Sequence, residues 1–201
     1  CALPISKIKV SELTPKGAML NKNDLLLISE FEMADTYISK SVTGLEVMES
    51  VKTSNPFGSF IHLDTQTTSA DTPTPMRMNT TTIAMDVSID EETKMVVTQA
   101  GVYNVQFSAQ IYRTSGGTLQ HIDIWFRVNG LDVDNSNTKI TISNNSHYYV
   151  ASWNFFTSLN SGDYVEIMWS TTSNTIELIY ENGNGIHPAI PSVIATINRI
   201  N

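Results

Sequence analysis

The residue types that most often carry chemistry are scattered along this sequence of 201 residues. Its four histidines are His62, His121, His147 and His187, and they share no spacing typical of metal ligands. The single cysteine, Cys1, cannot form a disulfide within the chain and has no evident catalytic partner. We therefore assign no catalytic, cofactor-binding or metal-ligating residue, and we expect a protein that is not an enzyme and needs no cofactor.

Two acidic stretches of the sequence are candidate binding sites. The segment 132–137 resembles a calcium-binding loop, but it lacks glycine at the sixth position, and Ser143 stands where that loop needs a bidentate glutamate. Asp123 lies close to Trp125, and an aromatic face beside a carboxylate can hold a sugar. A polysaccharide-degrading enzyme would need two carboxylates in one groove, whereas the acids here are isolated.

Composition excludes several classes of protein. The net charge of −8 argues against non-specific nucleic-acid binding, which needs a basic surface. No apolar run approaches the roughly 20 residues that cross a bilayer, so we expect no membrane insertion. The first residues are too polar for a signal peptide. For Cys1, two origins stay open: removal of preceding residues, or the lipid-bearing cysteine of a bacterial lipoprotein.

The elements that must position any site are predicted to be strands. Threonine (23), serine (21) and asparagine (17) are abundant, and these residues disfavour helix interiors. From Gly58 onward apolar and polar residues alternate with period two, and turn signals separate the runs. This pattern predicts an all-β, antiparallel jelly-roll sandwich over residues 55–201. The predicted strands include 59–64, 83–89, 103–111, 121–128, 139–143, 148–159, 164–171, 175–180 and 192–200.

Two regions depart from the regular pattern. The Thr- and Pro-rich segment Thr65–Thr82 is predicted to be a long surface loop with a short strand near Met76 and Met78, or else a contact loop. Two prolines, Pro188 and Pro191, precede a final apolar strand that we expect to be central and buried.

Residues 1–54 form a separate predicted domain. They carry six lysines against seven acidic residues, whereas the rest of the chain is strongly acidic. We predict a small β-hairpin from residues 24–30 and 37–43, followed by a short helix that Thr43 caps. So small a segment cannot bury much core, and we expect it to dock elsewhere. The residues predicted to anchor it are Leu25, Leu26, Leu27, Ile28, Val42 and Leu45.

The order of motifs in this segment resembles a module near the N-termini of tailed-bacteriophage fibres and tailspikes. The shared features fall on Ile8 to Leu13, Ala18 to Leu20, Asp24 to Ile28 and Lys40 to Val47. The resemblance implies attachment to the virion through other virion proteins.

Residues 57–201 resemble the trimeric jelly rolls typified by the complement globular head and tumour necrosis factor, and phage-encoded members of that class most closely. Ala100 to Phe107 and Leu159 to Ile167 carry this resemblance. It implies a homotrimer, and the contacts between subunits or with a ligand are predicted to include Tyr112, Trp125 and Trp153. Each of these aromatic residues could instead pack within its own subunit.

Together the two resemblances predict a virion structural protein. The chain would be a homotrimeric head- or tail-fibre component whose distal jelly roll displays the loops 65–82, 131–138 and 180–187 toward a glycan or protein of the host surface. The alternatives are a capsid decoration protein, a polysaccharide-degrading enzyme and a bacterial surface lipoprotein.

Overall fold

Period-two alternation produces strands throughout the part of the chain that the computed structural model describes, which comprises residues 23, 25–32, 36–43, 55–143 and 147–200. The chain divides into two compact units, Cys1–Thr53 and Ser54–Asn201. Among the described residues there is no helix of the length and apolarity that a bilayer-spanning segment needs.

The first unit contains an antiparallel hairpin of β1 (Leu25–Glu32) and β2 (Thr36–Thr43). Leu25 lies opposite Thr43 and Glu32 opposite Thr36, so the predicted hairpin is confirmed. The predicted anchor residues Leu25–Ile28 lie on β1, and Val42 is half-buried on β2. The predicted short helix and Leu45 lie outside the described residues.

The second unit consists of two antiparallel sheets, which confirms the all-β jelly-roll prediction. The front sheet has the order β4-β15-β9-β16-β3-β6, and β13 pairs along the full length of β9 as an edge strand. Its strands are β3 (Phe57–His62), β4 (Gln66–Thr67), β6 (Thr80–Met85), β9 (Gly101–Arg113), β13 (Tyr148–Leu159), β15 (Ile176–Leu178) and β16 (Val193–Arg199).

The back sheet has the order β11-β10-β14-β8-β7. Two further strands extend it, because β12 pairs with β10 and β5 pairs with β14. Its strands are β5 (Thr74–Pro75), β7 (Val87–Asp90), β8 (Lys94–Val97), β10 (Gln120–Val128), β11 (Leu131–Asp132), β12 (Thr138–Ile142) and β14 (Tyr164–Thr171).

The core lies between the two sheets and follows the predicted alternation of β9 and β10. The inward residues of these strands are buried, namely Tyr103, Val105, Phe107, Ala109 and Ile111 on β9 and Ile122, Ile124 and Phe126 on β10. The Phe107 and Phe126 rings meet edge to face across the sandwich, with centroids 5.9 Å apart. Burial of this apolar surface is the main force that holds the sheets together.

The prediction of one continuous strand over residues 83–89 is wrong. The strand is interrupted at Asp86. The φ of 57° at this residue turns the chain out of the front sheet and into the back sheet. As a result Ile83, at the end of β6, is 59% exposed, whereas Val87, at the start of β7, is buried. Aspartate is one of the few residues other than glycine that adopt this conformation readily.

The segment Thr65–Thr82 is more ordered than a single long loop. It contains β4, β5 and the start of β6, and both Met76 and Met78 are fully buried in the core. Their backbone N–H groups donate to the carbonyls of Ile167 and Glu92. The two methionines therefore tie this segment to the sandwich.

The turn signals are borne out by backbone geometry. Asn129 and Gly130, with φ of 49° and 80°, form the two-residue turn between β10 and β11. Gly162 has φ of 89°, and the neighbouring Asp163 carboxylate accepts a hydrogen bond from the backbone N–H of Asn160 at 2.7 Å. These are the roles expected of glycine and aspartate in tight turns.

The final strand, β16, lies between β9 and β3 and is central in the front sheet, as predicted. Only one side of it is buried, however. Val193, Ala195 and Ile197 face the core, whereas Ile194 is 37% exposed on the outer side. The outer side of the front sheet is therefore open, although its strands are rich in apolar residues.

Candidate functional site

Exposed apolar side chains gather on the outer side of five strands of the front sheet, β13, β9, β16, β3 and β6, and we call this five-stranded surface the front face. The charged Glu177 lies beyond it on β15, opposite Tyr112. Cross-strand registers place the outward residues of β13, β9, β16, β3 and β6 side by side. Of the ten large apolar side chains that are exposed among the described residues, seven lie on the front face or at its rim. They are Ile83, Met85, Tyr148, Val150, Phe156, Ile194 and Ile200.

The front face is also free of charge. The outward positions of β13, β9, β16, β3 and β6 carry no Asp, Glu, Lys or Arg side chain. The outer side of the back sheet differs, because it carries Asp123 and Arg127 on β10 and Lys139 on β12. Depletion of charge together with exposed apolar and aromatic residues is typical of the core of a protein–protein interface.

A shallow recess lined by polar and apolar residues lies at the centre of the front face. The recess has a volume of about 330 Å³, and its lining includes Ser108, Ser152, Thr196, Trp153 and Ile194. Beside it, Asn154 donates to Asn104 at 3.2 Å and Asn104 donates to Asn198 at 3.4 Å, which links three strands. The larger apolar residues surround this centre, so the surface can receive a protruding side chain of a partner.

One end of the front face carries a pair of tyrosines. Tyr112 on β9 packs against Tyr148 on β13, with ring centroids 4.8 Å apart. The Tyr148 hydroxyl donates a short hydrogen bond to the Glu181 carboxylate, and this bond raises the pKa of Tyr148 to about 12. Both rings are thereby held in fixed positions at the rim.

The three aromatic residues predicted to make contacts lie in different places. Tyr112 is on the front face, as just described. Trp125 lies on the back sheet, where its indole N–H donates to Asp132 Oδ1 at 2.8 Å. Trp153 is turned inward, with its ring centroid 4.5 Å from that of Phe107. The structure therefore places Trp125 on a different sheet from Tyr112 and Trp153. The half-buried Trp153 packs on Phe107 and also lines the recess of the front face.

Sequence reasoning missed most of the front face. On β13 the outward residues are Tyr148, Val150 and Phe156, but the inward positions of this strand are apolar as well. Alternation alone could not tell which side is covered, because both sides carry aromatic residues. The signal that was available is the absence of charge from the outward positions of five strands.

The acidic loop 132–137 is held by internal hydrogen bonds. Asp132 accepts from Trp125 and from Arg127 Nε, both at 2.8 Å, and these two bonds lower the pKa of its carboxyl. Asp123 accepts from Asn137 at 3.0 Å. The part of the chain that the structure describes holds no cluster of three or more His, Cys, Asp or Glu side chains arranged to bind a metal.

The histidines lie on separate elements. His62 is buried at the end of β3, His121 Nδ1 lies 3.1 Å from Thr141 Oγ1, and His187 Nε2 lies 3.0 Å from Asn184. His147 directly precedes β13.

Comparison with solved structures finds proteins that resemble this chain in fold. No protein-family model matches the sequence, and no curated protein matches it. A crystal structure of murine APRIL at pH 8.5 aligns with a TM-score of 0.47 and 8% sequence identity. The alignment covers 73% of this chain and 99% of that one.

Proposed function

We propose that this protein is a structural component that assembles as a homotrimer through the front face. The observation that supports the proposal is the coincidence of seven exposed large apolar side chains with a lack of charged residues at the outward positions of the five adjoining strands. A monomer that left such a surface in water would be prone to non-specific association. The number three comes from the resemblance of residues 57–201 to trimeric jelly rolls.

The viral part of the proposal comes from the sequence resemblance. Residues 1–54 resemble a phage-fibre module, so we assign the protein to the virion of a tailed bacteriophage, with that segment attaching to other virion proteins. The jelly roll would then be displayed outward, where its loops could meet a glycan or protein of the host surface. A capsid decoration protein would share the front-face trimer but would serve only to stabilise the shell.

Sedimentation equilibrium of the purified chain tests the assembly. We expect a trimer at micromolar concentration, and we expect Phe156→Asp or Val150→Asp to shift it toward monomer, because a buried unpaired carboxylate opposes association. Leu131→Asp is the matched control: this residue is 76% exposed but lies on β11 of the back sheet. A wild-type monomer or dimer, or equal disruption by all three variants, would refute the proposal.

Electron microscopy of virions labelled with an antibody against residues 55–201 tests the location. Labelling on fibres is the expected result. Labelling spread over the capsid shell would favour the decoration protein, and no labelling of any particle would remove the viral assignment while leaving the trimer untouched.

A further inference from the structure

A second cavity lies at one end of the sandwich and differs in character from the front face. It has a volume of about 270 Å³ and opens between the end of β3 and the segment that carries Arg77. Its floor and walls are largely polar. The lining residues include His62, Asp64, Arg77, Asn79, Glu92 and Trp169.

Two buried nitrogen atoms, each on a residue that lines this cavity, have no hydrogen-bond partner in the part of the chain that the structure describes. They are Nδ1 of His62 and Nε1 of Trp169, and they are the only buried side-chain nitrogen or oxygen atoms in that condition among the described residues. His62 is 4% exposed and Trp169 is fully buried, and both line the cavity. An unsatisfied buried polar group destabilises the folded state, so such groups are rare unless something bonds to them.

The walls of the cavity are held in place by bonds that do not use these atoms. The buried Gln66 side chain accepts from the backbone N–H of Arg77 at 2.7 Å and donates to the hydroxyl of Ser192 at 3.2 Å. Asn79 accepts from the N–H of Leu63 at 3.1 Å and donates to Asp64 at 3.2 Å. The cavity therefore has a fixed shape, which lowers the entropic cost of binding.

The rim of the cavity supplies both donors and acceptors. Arg77 Nε donates to Glu92 Oε2 at 3.0 Å, and the guanidinium has five N–H groups in all. The Asp64 and Glu92 carboxylates retain lone pairs, since each accepts only part of what it can. A simple anion would meet two carboxylates and one guanidinium, whereas a simple cation would meet the guanidinium and the indole N–H. The cavity therefore complements neither a simple anion nor a simple cation.

From this arrangement we infer that the cavity binds a neutral, hydroxyl-rich molecule of about the size of one monosaccharide. A hydroxyl group can accept from the Trp169 indole N–H and donate to a rim carboxylate, so one ligand satisfies both kinds of group. The cavity volume of about 270 Å³ is far more than one water needs, and it leaves room for a single sugar ring. None of the lining residues belongs to the front face, so binding here and trimer formation can succeed or fail separately.

Nuclear magnetic resonance of the indole N–H groups tests the inference directly in the full chain. The protein has three tryptophans, and Trp125→Phe and Trp153→Phe assign two of the three signals, which leaves Trp169 identified. Glucose, galactose, rhamnose, N-acetylglucosamine and glycerol are titrated separately. We expect at least one of the sugars to shift the Trp169 signal with a millimolar dissociation constant and to leave the Trp125 signal in place.

Two rim variants supply the matched comparison. Glu92→Gln removes a charged acceptor at the cavity, and we expect it to weaken binding about tenfold, which is 1.4 kcal/mol. Glu91→Gln makes the same change on the preceding residue, which pairs with Lys94 and does not line the cavity. This variant should therefore leave the affinity for the sugar unchanged. A Trp169 signal that none of the five compounds moves, equal effects of the two variants, or a response at Trp125 instead would each overturn the inference. A response to glycerol alone would overturn the assigned ligand size.

Discussion

At the scale of single residues, the buried His62 couples stability to pH. Burial first, and the nearby Arg77 guanidinium second, lower the pKa of His62 below its ordinary value of 6.5. At a pH between the lowered pKa and 6.5, His62 therefore binds a proton in the unfolded chain but stays largely neutral in the folded chain. The contribution of His62 to the free energy of unfolding is fully present above pH 6.5 and is lost as the pH falls below it.

We expect His62→Gln to reduce the loss of stability between pH 7 and pH 5. Urea unfolding at a fixed protein concentration measures this difference. His121→Gln is the control, because His121 lies on the exposed side of β10 and hydrogen-bonds to Thr141 there. Equal pH dependence in the wild type and in His62→Gln would show that other groups carry the acid sensitivity.

Arg113 is a second buried residue with a large predicted effect. It is 1% exposed, and its guanidinium donates to the backbone carbonyls of Ser115, Thr118 and Ile142 at 3.0, 2.7 and 3.2 Å. Arg113→Met would leave these carbonyls without their donor, and we expect a loss of about 2–4 kcal/mol in the free energy of unfolding.

The matched variant is Arg127→Met. Arg127 forms a partly exposed ion pair with Asp132, so its removal should cost about 1 kcal/mol or less. Chemical denaturation of both variants measures their free energies of unfolding. Similar losses in the two variants would mean that water hydrogen-bonds to the three carbonyls when Arg113 is absent.

At the scale of elements, Asn129 joins the β10–β11 turn to the start of β14. Its side chain donates to Asp163 at 2.8 Å and accepts from the backbone N–H of Tyr164 at 3.0 Å. Its φ of 49° is also unfavourable for most residues. Asn129→Ala should therefore lower the free energy of unfolding by about 2–3 kcal/mol, because strain and lost hydrogen bonds add together.

Asn135 separates these two causes. It has a similar φ of 61° and lies exposed in the loop 132–137. Asn135→Ala should cost only the strain, about 1 kcal/mol. If calorimetry gives the two variants the same melting temperature, the hydrogen bonds of Asn129 contribute nothing to stability.

The strands show how far sequence reasoning reaches. Alternation identified β9 and β10 and the inward side of each, because a half-buried strand must alternate. It failed over residues 83–89, because the left-handed conformation of Asp86 depends on the two sheets that the chain must join. Alternation also gives no sign that Met76 and Met78 are fully buried, because their burial depends on the space that distant strands leave in the core.

The candidate sites show the same limit. Tyr112 was placed correctly on an outer surface, but Phe156 and Val150 were missed because β13 is apolar on both sides. The sequence also predicts a contact through Trp125, and the structure shows that the indole N–H of this residue bonds to Asp132 in its own chain. The polar cavity could not be anticipated at all, since His62 and Trp169 are 107 positions apart and meet only through the fold.

At the scale of the whole molecule, charge and apolar surface are segregated. The chain carries a net charge of −8, but the strands of the front face contribute none of it through their outward residues. In the proposed trimer, three copies that meet through this face would repel one another through their remaining, negatively charged surfaces. Salt screens that repulsion over a distance of about 10 Å at 0.1 M ionic strength.

We therefore expect added salt to strengthen the proposed trimer rather than weaken it. Sedimentation at about 0.05 and about 0.5 M sodium chloride, which spans Debye lengths on both sides of that value, measures the change. An interface built on ion pairs would dissociate as salt rises, and such a result would contradict an uncharged interface.

The position of the two ends of the jelly roll has a mechanical consequence. β3 and β16 are antiparallel neighbours, Phe57 lies opposite Asn198, and the N–H of Arg199 donates to the carbonyl of Pro56 at 2.8 Å. Tension applied between these two ends would peel the strands apart one hydrogen bond at a time. Tension applied along a strand, between one of these ends and the far end of the sandwich, would instead load all the hydrogen bonds of that strand at the same time. The domain should therefore unfold at a low force when its two adjacent ends are pulled apart, and it should need a higher force when it is pulled along a strand.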